Sequence, residues 1–481
     1  MKIKSIEFSN HLILKNLSFS FEIDGVIKDF TLLVGENGGG KTVLLEEIYK
    51  IIHGGITLWN DRVDRKIIME FSDEEKDKLN APTKSIVFDY KESYSSDNSW
   101  QRIKVFDSNG ADITSQMLPI IQGEKLKQLF KCAYSTVEIN FTTDAIESVK
   151  ATSIDNEETP KSKSGSNISK EISQLLVDIK AQDDAEHAKW MKENVGKNVE
   201  VPNITGKLDR FRKAYSRMFE SKEMVDIRAE SGNQKIFFRD TKNKIEFDIS
   251  GLSSGEKQIV YRVGYLLRNL GTLSGGVILI DEPELSLHPV WQMKFIAFLR
   301  ELFTNEGTGR LDIQFIIATH SPYLLKSSLD SDVGVTVLSR NSSGDIESER
   351  PQIDTWSLFK DGPTIGEINY YAYKLPTLEF HNELYGALHE KFISSAPDVN
   401  EAKRRSYISV FDLEVLAMND QTKQVKNWSE LRKGVQQTVY PVTLSTFIRN
   451  KIHHPESAQT DVYTSTDFQD SIKHMISLLK P

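Results

Sequence analysis

An α/β head carrying an internal insertion, followed by an α-helical C-terminal domain, is the architecture that the sequence predicts. Three observations predict it. A buried-type strand, Thr31-Leu32-Leu33-Val34, runs into the glycine-rich segment Gly35–Thr42 and then into a helix from about Thr42 to His53. Two more apolar runs, Val277–Ile280 and Phe315–Ala318, each end in polar residues that suit the tip of a buried strand. After about Pro363 the apolar spacing becomes helical and stays so to Leu479, with a break around Ser394–Asn400.

In chain order, residues 1–55 form the first part of the head. Ile3–Phe8 alternates polar and apolar residues, a strand pattern and not a signal peptide, and Leu12–Phe21 is read as a second strand. Residues 56–240 complete the head lobe, with strand-like runs at Lys84–Phe88 and Thr136–Phe141 and a helical insertion at about 165–220. The stretch Asn156–Ser169 is polar and small and reads as a loop or linker. Lys170–Val195 is helical and highly charged but lacks sustained heptads, so no long coiled-coil arm is expected. Residues 241–345 close the head, and residues 363–481 form the helical domain.

The 481 residues carry 60 basic and 69 acidic side chains, a formal charge of −9. That balance argues against a general nucleic-acid binder, although it leaves room for local basic patches. No run of about 18 apolar residues predicts a membrane span. The single cysteine, Cys132, cannot form an internal disulfide, which fits the cytoplasm; it reads as a small core residue.

The chemistry is concentrated in four segments. Gly35-Glu36-Asn37-Gly38-Gly39-Gly40-Lys41-Thr42 fits G-x-x-x-x-G-K-[ST] between a strand and a helix. Its glycines let backbone N–H groups curl round phosphates, and the helix N-terminus favours their charge. Lys41 would reach the β- and γ-phosphates of ATP, and the Thr42 hydroxyl would ligate Mg²⁺. Gly276–Pro283 is an apolar strand ending in Asp281 and Glu282. Asp281 would hold Mg²⁺ and Glu282 would orient and activate the attacking water. Leu252-Ser253-Ser254-Gly255-Glu256 opens a helix, where hydroxyls and amides make an anion site as well as a cap. Gln314–Ser321 is a strand ending in His320, 38 residues after Glu282; by its resemblance to the switch histidine of ABC-type ATPases, His320 is expected to sense the γ-phosphate.

The third segment resembles the LSGGQ signature of ABC-type ATPases, and His320 is similar to that family's switch histidine. The resemblance implies an ABC-type, SMC-like P-loop head whose signature loop serves the nucleotide of an opposing subunit, so that two copies pair head to tail and such pairs assemble further. Ser286-Leu287-His288-Pro289 occupies the family's dimer-contact loop, with His288 in place of the usual aspartate. The glutamine loop is not assigned; residues 134–142 are where it would lie. A phosphate-loop-to-signature distance of 252 − 42 = 210 residues is unlike membrane-transporter subunits and similar to the soluble SMC-like and OLD-like ATPases.

Val137–Phe141, Gly366–Tyr370 with Glu379–Gly386, and Ile448–Glu456 together resemble the PtuA-type ATPases of Septu and related retron antiphage systems. That resemblance implies an ATPase that scaffolds and gates a separate HNH nuclease subunit of the PtuB type, with nucleic acid reached through the complex. Arg449-Asn450-Lys451-Ile452-His453-His454 also matches R-x-x-x-x-H of HEPN ribonucleases, which leaves two alternatives open. Arg449 and His454 would serve an intrinsic ribonuclease, or the segment is a helix end stopped by Pro455, with Lys451, His453 and His454 near its negative end as a cap or partner contact. An SMC-like DNA repair ATPase is a further alternative. Asp412 and Glu414 lack the strand–loop setting of a TOPRIM nuclease, and the histidines are too scattered for a zinc site.

Overall fold

The computed structural model describes residues 1–53, 63–91, 94, 103–121, 130–135, 168–195, 207–230, 233–268, 275–285, 287–304, 309–329, 332–351, 356–359, 362–419, 424–432, 434–457 and 461–480. The chain divides into two compact units, Met1–Arg350 and Pro351–Pro481. The strand expected at 136–141 and residues 156–167 of the loop expected at 156–169 lie outside the described residues, as do 136–142 of the region considered for a glutamine loop, whereas Ile168 and Ser169 open helix Ile168–Glu193.

The first unit is organised by a six-stranded sheet. Its order is Ile346–Glu349, Val333–Arg340, Phe30–Val34, Gln314–Ala318, Val277–Asp281, Cys132–Ser135. All neighbours run parallel except the edge pair of Val333–Arg340 with Ile346–Glu349. The three central strands, FTLLV, VILID and QFIIA, are buried at every position, as a parallel sheet covered on both faces requires. Helix Lys41–His53 supplies Leu44, Leu45, Ile48, Ile51 and Ile52 to the same core as Leu279 and Ile316.

A second, antiparallel sheet has the order Ser18–Ser20, Lys2–Ser9, Asp64–Glu70, Ser85–Tyr90, Ile103–Asp107. Gln314, fully buried, joins it to the first sheet. Its side-chain amide accepts from Ile3 N at 2.7 Å and donates to Ile3 O at 3.0 Å, as a neighbouring strand would. The strand expected over Leu12–Phe21 is confined to Ser18–Ser20. His11 Nδ1 accepts the amides of Ile13 and Leu14, at 3.1 and 2.9 Å, and Asn10 and Lys15 take φ of +59° and +55°. The imidazole thus captures amides that a strand would offer to its neighbour.

Helices Ile168–Glu193 and Lys207–Met218 precede a third sheet, Lys222–Glu230, Asn233–Asp240 and Glu246–Asp248. Arg210 donates from Nη2 to Leu302 O at 2.6 Å and Thr304 O at 3.0 Å. It therefore closes the free carbonyl end of helix Pro289–Phe303 with a cation, the charge that end favours.

The second unit is mainly helical: Ile365–Tyr373, Leu378–Ser394, Val399–Arg405, Leu444–His453 and Ser465–Leu479 are its longer helices. Leu378–Ser394 buries Phe380, Leu384 and Leu388 at four-residue spacing against Phe411, Ile448, Phe468, Ile472 and Met475. Each such side chain contributes about 1.5–3 kcal/mol when fully buried. Two short antiparallel pairs, Val425–Trp428 with Tyr440–Thr443 and Leu431–Arg432 with Val435–Gln436, add strands to this domain. Buried polar groups are linked to one another: His381 Nε2 to Ser471 Oγ at 2.9 Å, Ser471 Oγ to Ser445 Oγ at 2.8 Å, and the Thr443 hydroxyl to Asp412 Oδ1 at 2.5 Å. Among the described residues no helix is long and apolar enough to cross a membrane.

Candidate nucleotide site

Because Phe30–Val34, Gln314–Ala318 and Val277–Asp281 are parallel neighbours, their C-terminal tips share one edge of the sheet. The phosphate loop, Thr319-His320 and Asp281-Glu282 leave from those tips, where open α/β sheets place their ligands.

The loop is shaped by close backbone packing. Gly35 has φ +135°, and a Cβ there would lie 2.1 Å from Leu338 O. Gly40 has φ +83°, with a Cβ position 2.4 Å from the Ile346 side chain. Arg340 Nε donates to Gly38 O at 2.9 Å and braces the turn from the neighbouring strand. Lys41, 5% exposed, donates to Gly35 O and Glu36 O at 2.9 Å each. Burial lowers its pKa to about 8, against the pull of Glu282, Asp281, Glu284 and Glu36.

Asp281 is 1% exposed, and burial raises its pKa even though the Thr42 and Tyr134 hydroxyls stand beside it. The Tyr134 hydroxyl donates to Oδ2 at 3.4 Å; Oδ1 has no hydrogen-bond partner among the described residues. A buried carboxylate oxygen without a donor next to a threonine hydroxyl is an oxygen pair that suits Mg²⁺. The fit of the residues to Mg²⁺–ATP is therefore good: Thr42 and Asp281 would hold the metal, and the loop amides and Lys41 the phosphates.

Glu282 is held in the left-handed region at φ +42°. A non-glycine residue there costs on the order of 1–3 kcal/mol, and such strain gathers at functional sites. Its Oε1 lies 3.6 Å from His320 Nε2. Burial, with Lys41 adding, drops the His320 pKa to about 4, so without nucleotide the imidazole is neutral at neutral pH.

Three residues that the sequence reading passed over complete the site. Glu284 accepts the His320 backbone N–H on Oε1 at 2.5 Å and the Thr319 hydroxyl on Oε2 at 2.8 Å; burial raises its pKa. Gln292 donates to Leu287 O at 2.8 Å, and its Oε1 accepts from the Ser321 hydroxyl at 2.5 Å. Arg262 donates from Nη1 to Ser135 Oγ at 3.0 Å and to Asp281 O at 3.3 Å. Glu284 had a sequence signal, since it follows the acidic pair in Glu282-Pro283-Glu284. Gln292 and Arg262 had none, because only folding brings their helices to these tips.

His288 caps helix Pro289–Phe303: its Nδ1 accepts from Val290 N at 3.3 Å, the bond that an aspartate oxygen makes at such a position. Ser286 lies outside the described residues.

The signature segment is built on a reciprocal cap. Glu256 N donates to Ser253 Oγ at 3.3 Å, while Glu256 Oε2 accepts from Ser253 N and the Ser253 hydroxyl at 2.8 Å each and pairs with Lys222 at 2.8 Å. Glu256 is buried and holds the loop; Ser253 and Ser254 are exposed at the start of helix Ser254–Arg268, and Gly255 is buried. Among the described residues no hydrogen bond joins this segment to Gly35–Thr42 of the same chain.

In the second unit, Arg449 Nη1 donates to Asn450 Oδ1 at 3.0 Å, and His454 Nδ1 lies 3.5 Å from Glu456 Oε1 at the end of helix Leu444–His453.

A family model described as "AAA domain, putative AbiEii toxin, Type IV TA system" matches residues 30–326, well over half of the chain. Over 103 residues the chain is 36% identical to the Retron Vc95 probable ATPase of Vibrio cholerae serotype O1 biovar El Tor, covering 20% of this chain and 19% of that one. Over 136 residues it is 29% identical to the Septu protein PtuA of Bacillus mycoides (strain KBAB4), covering 28% of this chain and 14% of that one. The matched segments thus span less than a fifth of either relative. Among solved structures, an SmcHead bound to the C-winged helix domain of ScpA is similar at 15% identity and a TM-score of 0.43, covering 74% of this chain and 100% of that one.

Proposed function

We propose, on the premise that the chain belongs to the family described as AAA domain, putative AbiEii toxin, Type IV TA system, that it is the ATP-hydrolysing subunit of an antiphage defence complex. Lys41 and the Gly35–Gly40 amides would hold the phosphates, Thr42 and Asp281 Mg²⁺. Glu282 would orient the attacking water, and His320 would stand against the γ-phosphate. Ser253, Ser254 and Gly255 would serve the nucleotide of a second copy, with Glu256 holding that loop in place, so that two copies close head to tail. The observation that carries this reading is the convergence of Lys41, Thr42, Asp281, Glu282 and His320 on one sheet edge, while the signature serines stand exposed elsewhere.

The finer reading is that unit 351–481 holds a separate HNH nuclease subunit and that the nucleotide state of the head gates it. The retron and Septu names of the matched relatives support it. The second reading is an intrinsic ribonuclease using Arg449, within helix Leu444–His453, and His454, at its C-cap. The hydrogen bond of Arg449 to Asn450 and the nearness of His454 to Glu456, both neighbours in sequence, favour a structural role.

The test is the purified chain with ATP and Mg²⁺, offered total RNA and plasmid DNA, with and without a co-expressed HNH subunit. ATP hydrolysis without cleavage by the chain alone, and cleavage with the partner, is expected. RNA cleavage by the chain alone that disappears in His454→Ala would establish the second reading instead. A chain that does not hydrolyse ATP would overturn the first.

A further inference from the structure

The peptide unit joining Asp281 to Glu282 is held from both sides. Its carbonyl oxygen accepts from Arg262 Nη1 at 3.3 Å, and its N–H donates to Ala318 O at 2.9 Å. The next rotatable bond is φ of Glu282, set at +42°. The plane of this peptide therefore decides where the Glu282 carboxylate points. Ala318 O belongs to the strand Gln314–Ala318 that leads into His320, so one side of the clamp is the sheet itself.

The other side comes from a different part of the fold. Arg262 lies on helix Ser254–Arg268, about two turns beyond the signature serines at 3.6 residues per turn. Its Nη1 also bonds Ser135 Oγ at 3.0 Å, and Ser135 is paired in register with Ile280. One guanidinium therefore grips the tips of two adjacent strands from the helix that carries the signature loop.

Arg262 is 2% exposed, and among the described residues it makes no ion pair and its buried Nη2 has no hydrogen-bond partner. Burial lowers its pKa to about 10, although Glu284 and Asp281 pull it upward. A charged group buried without a bonded carboxylate is costly, and an apolar side chain of that length would fill the space without the cost. Packing alone does not account for an arginine here.

We propose that Arg262 is a positioning residue for ATP hydrolysis: it ties the signature helix to the peptide that aims Glu282. Engagement of the signature loop by a second copy's nucleotide is thereby felt at the hydrolytic carboxylate of the first. The proposal rests on the reading of Glu282 given above.

The experiment uses the full chain in four forms: wild type, Arg262→Met, Arg262→Lys and Ser135→Ala. ATP affinity is titrated with a fluorescent ATP analogue, and kcat and KM for ATP are measured beside it. Arg262→Met is expected to lower kcat by about tenfold or more while the Kd for nucleotide stays within about threefold, the pattern of a group acting only in the chemical step. Arg262→Lys, which keeps a cation and one donor, recovers part of kcat, and Ser135→Ala loses less than Arg262→Met. A Kd weakened as much as kcat, or a kcat unchanged in Arg262→Met, overturns the proposal. If Arg262→Met does not fold, a wild-type kcat in both Arg262→Lys and Ser135→Ala overturns it equally. A wild type that does not hydrolyse ATP overturns both this and the reading of Glu282, whereas an active wild type with indifferent variants overturns this inference alone.

Discussion

Glu284 holds His320 by its backbone: the carboxylate accepts the His320 N–H at 2.5 Å while its other oxygen accepts the Thr319 hydroxyl. A side chain two residues beyond Glu282 thus fixes the residue whose ring lies 3.6 Å from Glu282 itself. Two segments of the site are set by one carboxylate.

Glu284→Ala removes the acceptor from a buried hydroxyl and a backbone amide. A stability loss of about 1–3 kcal/mol follows from leaving such groups unsatisfied. Thermal unfolding measures it, and ATP turnover falls with it because His320 loses its anchor. Glu284→Gln keeps one acceptor oxygen and loses less on both counts. Equal stability of Glu284→Ala and wild type would remove this carboxylate from the account.

Glu282→Gln keeps the size of the side chain but removes the carboxylate that would orient water. With ATP and Mg²⁺ the variant should accumulate as a dimer, read by light scattering, while without nucleotide its mass matches wild type. A Glu282→Gln chain that stays monomeric at saturating ATP contradicts the composite site.

Nucleotide affinity should weaken as pH rises through about 8, where the buried Lys41 loses its proton. For stability the sign is opposite. The unfolded lysine still binds a proton between about 8 and 10.5, so the fold gains stability as pH rises across that window. Without nucleotide, His320, lowered to about 4, stays neutral from pH 5.5 upward. A titration of ATP binding over pH 5.5–9.5 checks the affinity, thermal unfolding over pH 8–10.5 checks the stability, and Lys41→Ala should bind no ATP at any of these values.

The second unit should be sensitive to acid through His381. This histidine is fully buried, and burial lowers its pKa to about 3 from the ordinary 6.5. The unfolded chain takes a proton below about 6.5 that the folded one refuses until about 3. Stability present above 6.5 is therefore lost progressively as pH falls toward 3. His381→Phe retains the ring beside Phe468, with which His381 stacks at 5.5 Å. It should flatten the acid limb of the unfolding midpoint against pH; an unchanged limb would assign the acid sensitivity elsewhere.

The parallel core was legible because its strands are short apolar runs buried on both faces, and because Gly35–Thr42 stands between one of them and a helix. Asp281, Glu282 and His320 were legible because each sits where such a run ends. What sequence could not show is which helix returns to which strand tip. Arg262 and Gln292 act across the fold on neighbours far away in the chain, so no spacing announces them. The turn at His11 was misread because an alternating pattern does not reveal an imidazole that captures two amides. The strands at Val425–Trp428 and Tyr440–Thr443 were passed over because they are short, although Gly434, at φ +78°, marks a turn between them.

The pairing of Phe30–Val34 also sets an order on biosynthesis. Both of its neighbours, Gln314–Ala318 and Val333–Arg340, lie nearly 300 residues later in the chain. At about 5–20 residues per second, the strand that feeds the phosphate loop waits roughly 15–60 s before either partner leaves the ribosome. Contacts of such long sequence separation form late and slowly. A nascent chain of this protein therefore cannot capture nucleotide with its N-terminal half alone, and the ATP site comes into being only with the last strands of the head.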